Sequence, residues 1–253
     1  MRKLGLTILM MVTLAAFARD SRHELAVDLK FAPQEGVNSN SPDLTAGMLE
    51  RTVTVRAEDG RTGDPLEIGQ GTNDDDQHFP IVASSPVIPY LKDTLTSVAG
   101  DWGLKVADAG ERVLTVKLMR YFVDESNKAV GSVYASEVKL TFTLADKNGK
   151  QLMDGATSGS AHRYGRARSG ENCNEVLSDA LKEAYANLLS DPRVQAAWVS
   201  GKATGGNAGN AGSSTVKPES VEERLRKLDD LLKKKLITQE EYDKKRAEIL
   251  KDV

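Results

Sequence analysis

The chain has 253 residues, a formal net charge of −3 and 40% hydrophobic residues, with only 5% aromatic. That length makes one or two domains, and the slightly acidic balance excludes a general nucleic-acid binder. A single cysteine, Cys173, excludes an intramolecular disulfide framework and a zinc site of several thiolates, while three histidines (His23, His78, His162) leave little for a histidine-rich metal site.

Arg2 and Lys3 precede an apolar run from Leu4 to Phe17, and Ala16-Phe17-Ala18 offers small residues for a cut before Arg19. This is the signal-peptide pattern. Residues 1–18 are therefore expected to be a cleaved leader, and the remainder an exported, periplasmic protein with at most peripheral membrane association. An uncleaved anchor is the alternative, although the run is shorter than the roughly 20 residues of a transmembrane helix. No cysteine stands at the cut, where a lipid anchor would need one. Cys173, in SGENCNEVL, is expected to be a small residue near a helix start rather than a nucleophile, since no His or Asp neighbours it.

The segment 19–199 reads as one domain of alternating strands and helices. Leu25, Val27, Leu29 and Phe31 recur at every second position and predict a strand ending at Pro33. Thr52 to Glu58 alternates and breaks at Asp59-Gly60-Arg61. Leu66 to Ala83, with Asp74-Asp75-Asp76, is expected to be an exposed loop. Ile88, Leu91, Leu95, Val98 and Trp102 form a helical stripe after Pro86. Leu114, Val116 and Leu118 alternate until a turn expected near Asp124-Glu125-Ser126-Asn127. Val133 to Ala145 then alternates strictly, Val138, Leu140, Phe142 and Leu144 opposing Glu137, Lys139, Thr141 and Thr143. One buried and one wet face means an antiparallel sheet. Asp146-Lys147-Asn148-Gly149 turns the chain. Leu152 to Arg163 returns it, rich in small residues that let a helix come close. A second helix, capped by Asn172 or Asn174, buries Val176, Leu177, Ala180, Leu181, Ala184, Tyr185 and Leu188 and stops at Asp191-Pro192. The predicted fold is α+β: a largely antiparallel sheet with two helices packed on one face, plus a separate C-terminal helical hairpin.

Residues 200–218 contain five glycines and one larger aliphatic, Val216, and read as a flexible linker. Residues 219–253 carry 10 acidic and 10 basic side chains around a stripe of Leu225, Leu228, Leu231, Leu232 and Leu236. Ile237, Tyr242, Ile249 and Leu250 continue it, and Thr238 with Glu241 makes a capping box for a second short helix. Two helices of this size bury little alone, so the stripe needs another copy or another protein as its cover.

Candidate chemistry is sparse. Asp59 and Arg61 read as a turn-end pair. Asp74-Asp75-Asp76 lacks the glycine and distal glutamate of a calcium loop. Ser160, His162 and Asp154 share a strand face but have no nucleophile elbow. The run His162 to Arg168 is the one basic patch with an aromatic, so Arg163, Arg166 and Arg168 are the candidate binding residues for an anionic headgroup, glycan or peptidoglycan. No catalytic residue, cofactor or metal is expected.

The tail, L225xxL228xxL231 followed by L236-I237-T238-Q239-E240-E241-Y242, closely resembles the SHOCT (short C-terminal) domain. That resemblance implies oligomerisation or tethering without catalysis. The larger domain resembles the YajG-like envelope lipoproteins, on V53xV55xxxD59-G60-R61, I68-G69, the central sheet and N174-E175-V176-L177-S178-D179-A180-L181. Members usually carry a lipobox cysteine, where this chain has Ala18-Arg19. Together they imply a non-enzymatic envelope protein that self-associates or docks on another envelope protein through its tail.

Overall fold

The computed structural model describes residues 24–34, 41–73, 77–127 and 131–203. The predicted leader, nearly all of the linker and the hairpin 219–253 lie outside them. In chain order the elements are β1 (Leu25–Val27), α1 (Ala46–Leu49), β2 (Thr52–Asp59), β3 (Glu67–Thr72), β4 (His78–Ala83), α2 (Val87–Asp101), β5 (Lys105–Val106), β6 (Arg112–Asn127), β7 (Ser132–Asp146), β8 (Gln151–Gly165), α3 (Gly170–Ser190) and α4 (Pro192–Ser200).

The axis of the sheet is β6. One of its edges pairs antiparallel with β7 from end to end, and β7 pairs antiparallel with β8. Its other edge is shared. The first half lies parallel to β2, from Val53 opposite Arg112 to Asp59 opposite Leu118, and the second half lies parallel to β3, from Gly69 opposite Val123 to Gly71 opposite Glu125. β3 and β4 form a hairpin, β1 adds parallel to β4, and β5 lies beside the start of β2. The sheet is largely antiparallel, as its alternation predicts.

The predicted inner face of β7, Val138 to Leu144, is buried, and Leu114, Val116 and Leu118 of β6 join it. A bulge between Leu118 and Arg120 then moves the buried positions to Tyr121, Val123 and Glu125. An extra residue on one strand shifts which parity faces the core. Both long helices cover this face. α3 packs on β8, β7, β6 and β1, and α2 on β2 and β5. Trp102, capping α2, lies against Tyr185 of α3 with ring centroids 5.5 Å apart. The small residues of β8 act as expected: a Cβ on Gly159 would overlap the Ala180 carbonyl and the Ala184 nitrogen of α3.

Four local expectations are corrected. The segment 66–83 is not a loop but the β3–β4 hairpin. Gly69, Gly71 and Pro80 mask its alternation, and pairing with β6 and β1 creates it. The first strand stops at Val27. Beyond it the chain stays extended but leaves the sheet, and its amides are taken by α3 side chains. Lys30 N–H donates to Asn174 Oδ1 (2.9 Å), Ala32 N–H to Ser178 Oγ (3.2 Å) and Gln34 N–H to Asp179 Oδ1 (2.7 Å). The turn expected at 124–127 is still strand, because a polar run continues pairing when its partner does. Finally, Ser169 rather than Asn172 or Asn174 caps α3, its Oγ accepting from Asn172 N–H (3.2 Å); Asn174 is occupied by the strap.

Candidate functional site

The candidate arginines end β8 and form the loop into α3. Arg163 is in phase with the inner face of β8, opposite Tyr134. Its guanidinium pairs with Glu175 of α3, and its side chain is only 16% exposed. Arg166 and Arg168 are exposed, as is Tyr164 at 61%. The structure therefore divides the three: Arg163 is an internal tie, while Arg166 and Arg168 face solvent.

Arg168 is held from two sides. Its guanidinium lies over the ring of Phe79 in β4, 4.2 Å from the centroid. Its backbone has φ of +52°, the one positive value at a non-glycine among the described residues. That left-handed conformation costs about 1–2 kcal/mol in a residue with a Cβ. Its N–H donates to Oε1 of Glu125, 2.5 Å away, a charge-assisted bond that offsets the cost.

Glu125 is 2% exposed. The Ser132 hydroxyl also donates to its Oε1 (2.9 Å), and the Tyr134 hydroxyl lies 3.1 Å from it. Tyr134 accepts from Ser169 N–H (3.0 Å) and donates to the Arg166 carbonyl (2.6 Å). Burial pushes its phenol up to about 12, against the pull of the Ser169 N–H, so it stays neutral and able to donate. The whole loop from Arg166 to Ser169 is thus bonded to two side chains of the sheet. Sequence reasoning missed Glu125, Tyr134 and Phe79 here. The signal for Glu125 is an acid at a core-facing position, hidden by the bulge that resets the parity.

The other candidates separate. Cys173 is buried in the first turn of α3, and burial, with the Glu125 charge second, pushes its thiol up, overriding its own helix-start amide. Arg61 grips Asp59 with Nε (3.0 Å) and Nη2 (2.8 Å) and reaches the Pro65 carbonyl (2.8 Å), a clasp on its own loop. Asp154 and Ser160 lie six residues apart on β8, about 20 Å along the strand, so Ser160, His162 and Asp154 do not converge. Asp146 Oδ1 accepts from the amides of Asn148 (2.8 Å) and Lys150 (3.0 Å), as a turn residue. Asp74, Asp75 and Asp76 lie outside the described residues, as do Leu225, Leu228, Leu231, Leu232, Leu236, Ile237, Tyr242, Ile249 and Leu250. Among the described residues no group of three His, Cys, Asp or Glu side chains is placed to hold a metal ion, and no helix is long and apolar enough to cross a membrane.

A family model described as an uncharacterised lipoprotein matches residues 41–198. No curated protein matches the chain. Among solved structures, it is similar to a protein of Xanthomonas campestris at 12% identity, covering 70% of this chain and 96% of the other, with a TM-score of 0.39. It is also similar to a PelC dodecamer from Paraburkholderia phytofirmans (16% identity, 62% and 95% covered, TM-score 0.31). A third is a minor lipoprotein of Acinetobacter baumannii (11% identity, 56% and 94% covered, TM-score 0.32).

Proposed function

The chain belongs to this family of uncharacterised lipoproteins, a family of bacterial envelope proteins, and from that premise we propose that it is an exported, non-enzymatic envelope protein that holds its C-terminal segment out for self-association. In this reading the domain is YajG-like, residues 1–18 are its leader, 200–218 its linker and 219–253 a SHOCT hairpin.

The observation that supports it is where the chain enters and leaves the domain. It enters at β1, whose start lies level with Val123 near the far end of β6, through the register of β1 on β4, β4 on β3 and β3 on β6. It leaves at Gly201, packed on Arg112 at the opposite end of β6. Arg112 is 6% exposed, and its Nε donates to the Trp198 carbonyl (2.7 Å), fixing the end of α4. The eleven strand steps between Arg112 and Val123 span roughly 35 Å. The described residues thus begin and end toward opposite ends of the central strand.

Sedimentation of residues 19–253 and of a truncation at Ser200 tests it. Concentration-dependent association is expected of the longer chain alone. Two monomers at all concentrations would overturn self-association.

A further inference from the structure

The end of the domain at which the chain enters β1 also carries the arginine loop. A Cβ on Gly170 would lie 2.9 Å from the Ala26 carbonyl, so the loop's last residues abut β1. Phe79, beneath the Arg168 guanidinium, precedes by two residues the Ile81 that pairs with Leu25. The six residues from Arg19 to Glu24 reach at most about 20 Å. A membrane met through an uncleaved leader therefore faces this end, where Tyr164, Arg166 and Arg168 are exposed. Arginine and tyrosine suit a headgroup layer: one binds phosphate in a bidentate fork, the other has an apolar body with a polar tip. Glu125 and Tyr134 hold the backbone at Arg166, Arg168 and Ser169, and Phe79 holds the Arg168 side chain, before any ligand arrives, so less ordering entropy opposes binding.

We propose that the Tyr164–Arg168 loop is a docking surface for anionic lipid headgroups, seating the domain on the membrane to which its N-terminus leads. The inference rests on the exported reading above, taken with the uncleaved form of the leader, but not on self-association by the tail, whose test is separate. Arg163 has no part in the contact, since Glu175 holds it. The sequence between β3 and β4 contains Asp74, Asp75 and Asp76, whose charge opposes an anionic surface.

The test uses the full chain reconstituted in vesicles of phosphatidylcholine, with and without phosphatidylglycerol. A fluorophore is placed at Ser126→Cys, beside the loop, or at Lys147→Cys, in the turn at the opposite end; Cys173 is buried and stays unlabelled. A headgroup spin label should quench the fluorophore at 126 several-fold more than that at 147, and more strongly with phosphatidylglycerol. Arg166→Gln with Arg168→Gln should remove the lipid dependence, and so should added salt on the unaltered chain, which guards against a variant that fails to fold. Asp74→Asn, Asp75→Asn and Asp76→Asn together should strengthen it. Equal quenching at both sites, or quenching at 126 that ignores lipid charge and the arginines, would overturn the proposal, the second meaning that the tether alone holds this end near the membrane.

Discussion

Oε1 of Glu125 lies 2.5 Å from the backbone nitrogen of Arg168, tying a left-handed loop residue to a buried carboxylate on the central strand. Glu125→Ala leaves the Arg168 and Ser132 donors without this acceptor and should cost about 2–3 kcal/mol, read as a lower urea midpoint at unchanged slope. Arg168→Gly should be neutral to within about 1 kcal/mol, since glycine accepts the positive φ but loses the cation–π contact with Phe79. Arg168→Val, as stable as the parent, would show that the loop relaxes instead.

Gly159 decides how closely α3 approaches the sheet. Gly159→Val should lower stability by about 3 kcal/mol or more, because the overlapping atoms are helix backbone and the whole helix must lift. A Cβ on Gly100, in α2, would meet nothing within 4 Å. Gly100→Ala should therefore stabilise by about 0.5–1 kcal/mol. Thermal melting of the two variants in opposite directions is the expected result.

Two carboxylates should give opposite pH responses. Hydrogen bonds from Arg61 hold the Asp59 carboxyl below the usual range. Its stabilisation is present above the unfolded value of about 3.9 and is lost as pH falls through the folded value. Asp59→Asn should cost up to about 1 kcal/mol at neutral pH and nothing in strong acid. Burial raises Asp179, with the Gln34 N–H pulling the other way. Its contribution is full below the unfolded value and is lost as pH rises through the folded one. Asp179→Asn keeps an oxygen for Gln34 and should raise the melting temperature at pH 7 by about 2 °C. Melting curves from pH 3 to pH 7 separate the two; a parallel response would refute the assignment.

The edge of β8 is blunted by α3. Glu183 Oε2 accepts from Ser160 N–H (2.7 Å), and Asn187 Nδ2 donates to the Ser158 carbonyl (3.0 Å). Unpaired edges template strand addition. Replacing both residues with Ala should open the edge, lower stability by about 1–2 kcal/mol and give light scattering that grows with concentration. A clear solution at high concentration would show that helix bulk alone protects this edge.

Local pattern alone was enough for the alternating strands β7 and β8, their turn at Asp146, the stripes of α2 and α3 and the α+β class. These are local periodicities whose residues share one buried face. It also marked Arg166 and Arg168 as a surface patch. Long-range packing was needed for the β3–β4 hairpin, whose glycines and proline gain strand geometry from neighbours, and for the departure of residues 28–34 onto side chains of α3. It alone withdrew Arg163 from the patch by pairing it with Glu175. It alone brought Glu125 and Phe79, 46 residues apart in sequence, under Arg168. The reason is the bulge at Leu118–Arg120 together with a shared strand edge. Both depend on partners far along the chain, and short-range pattern carries no information about them.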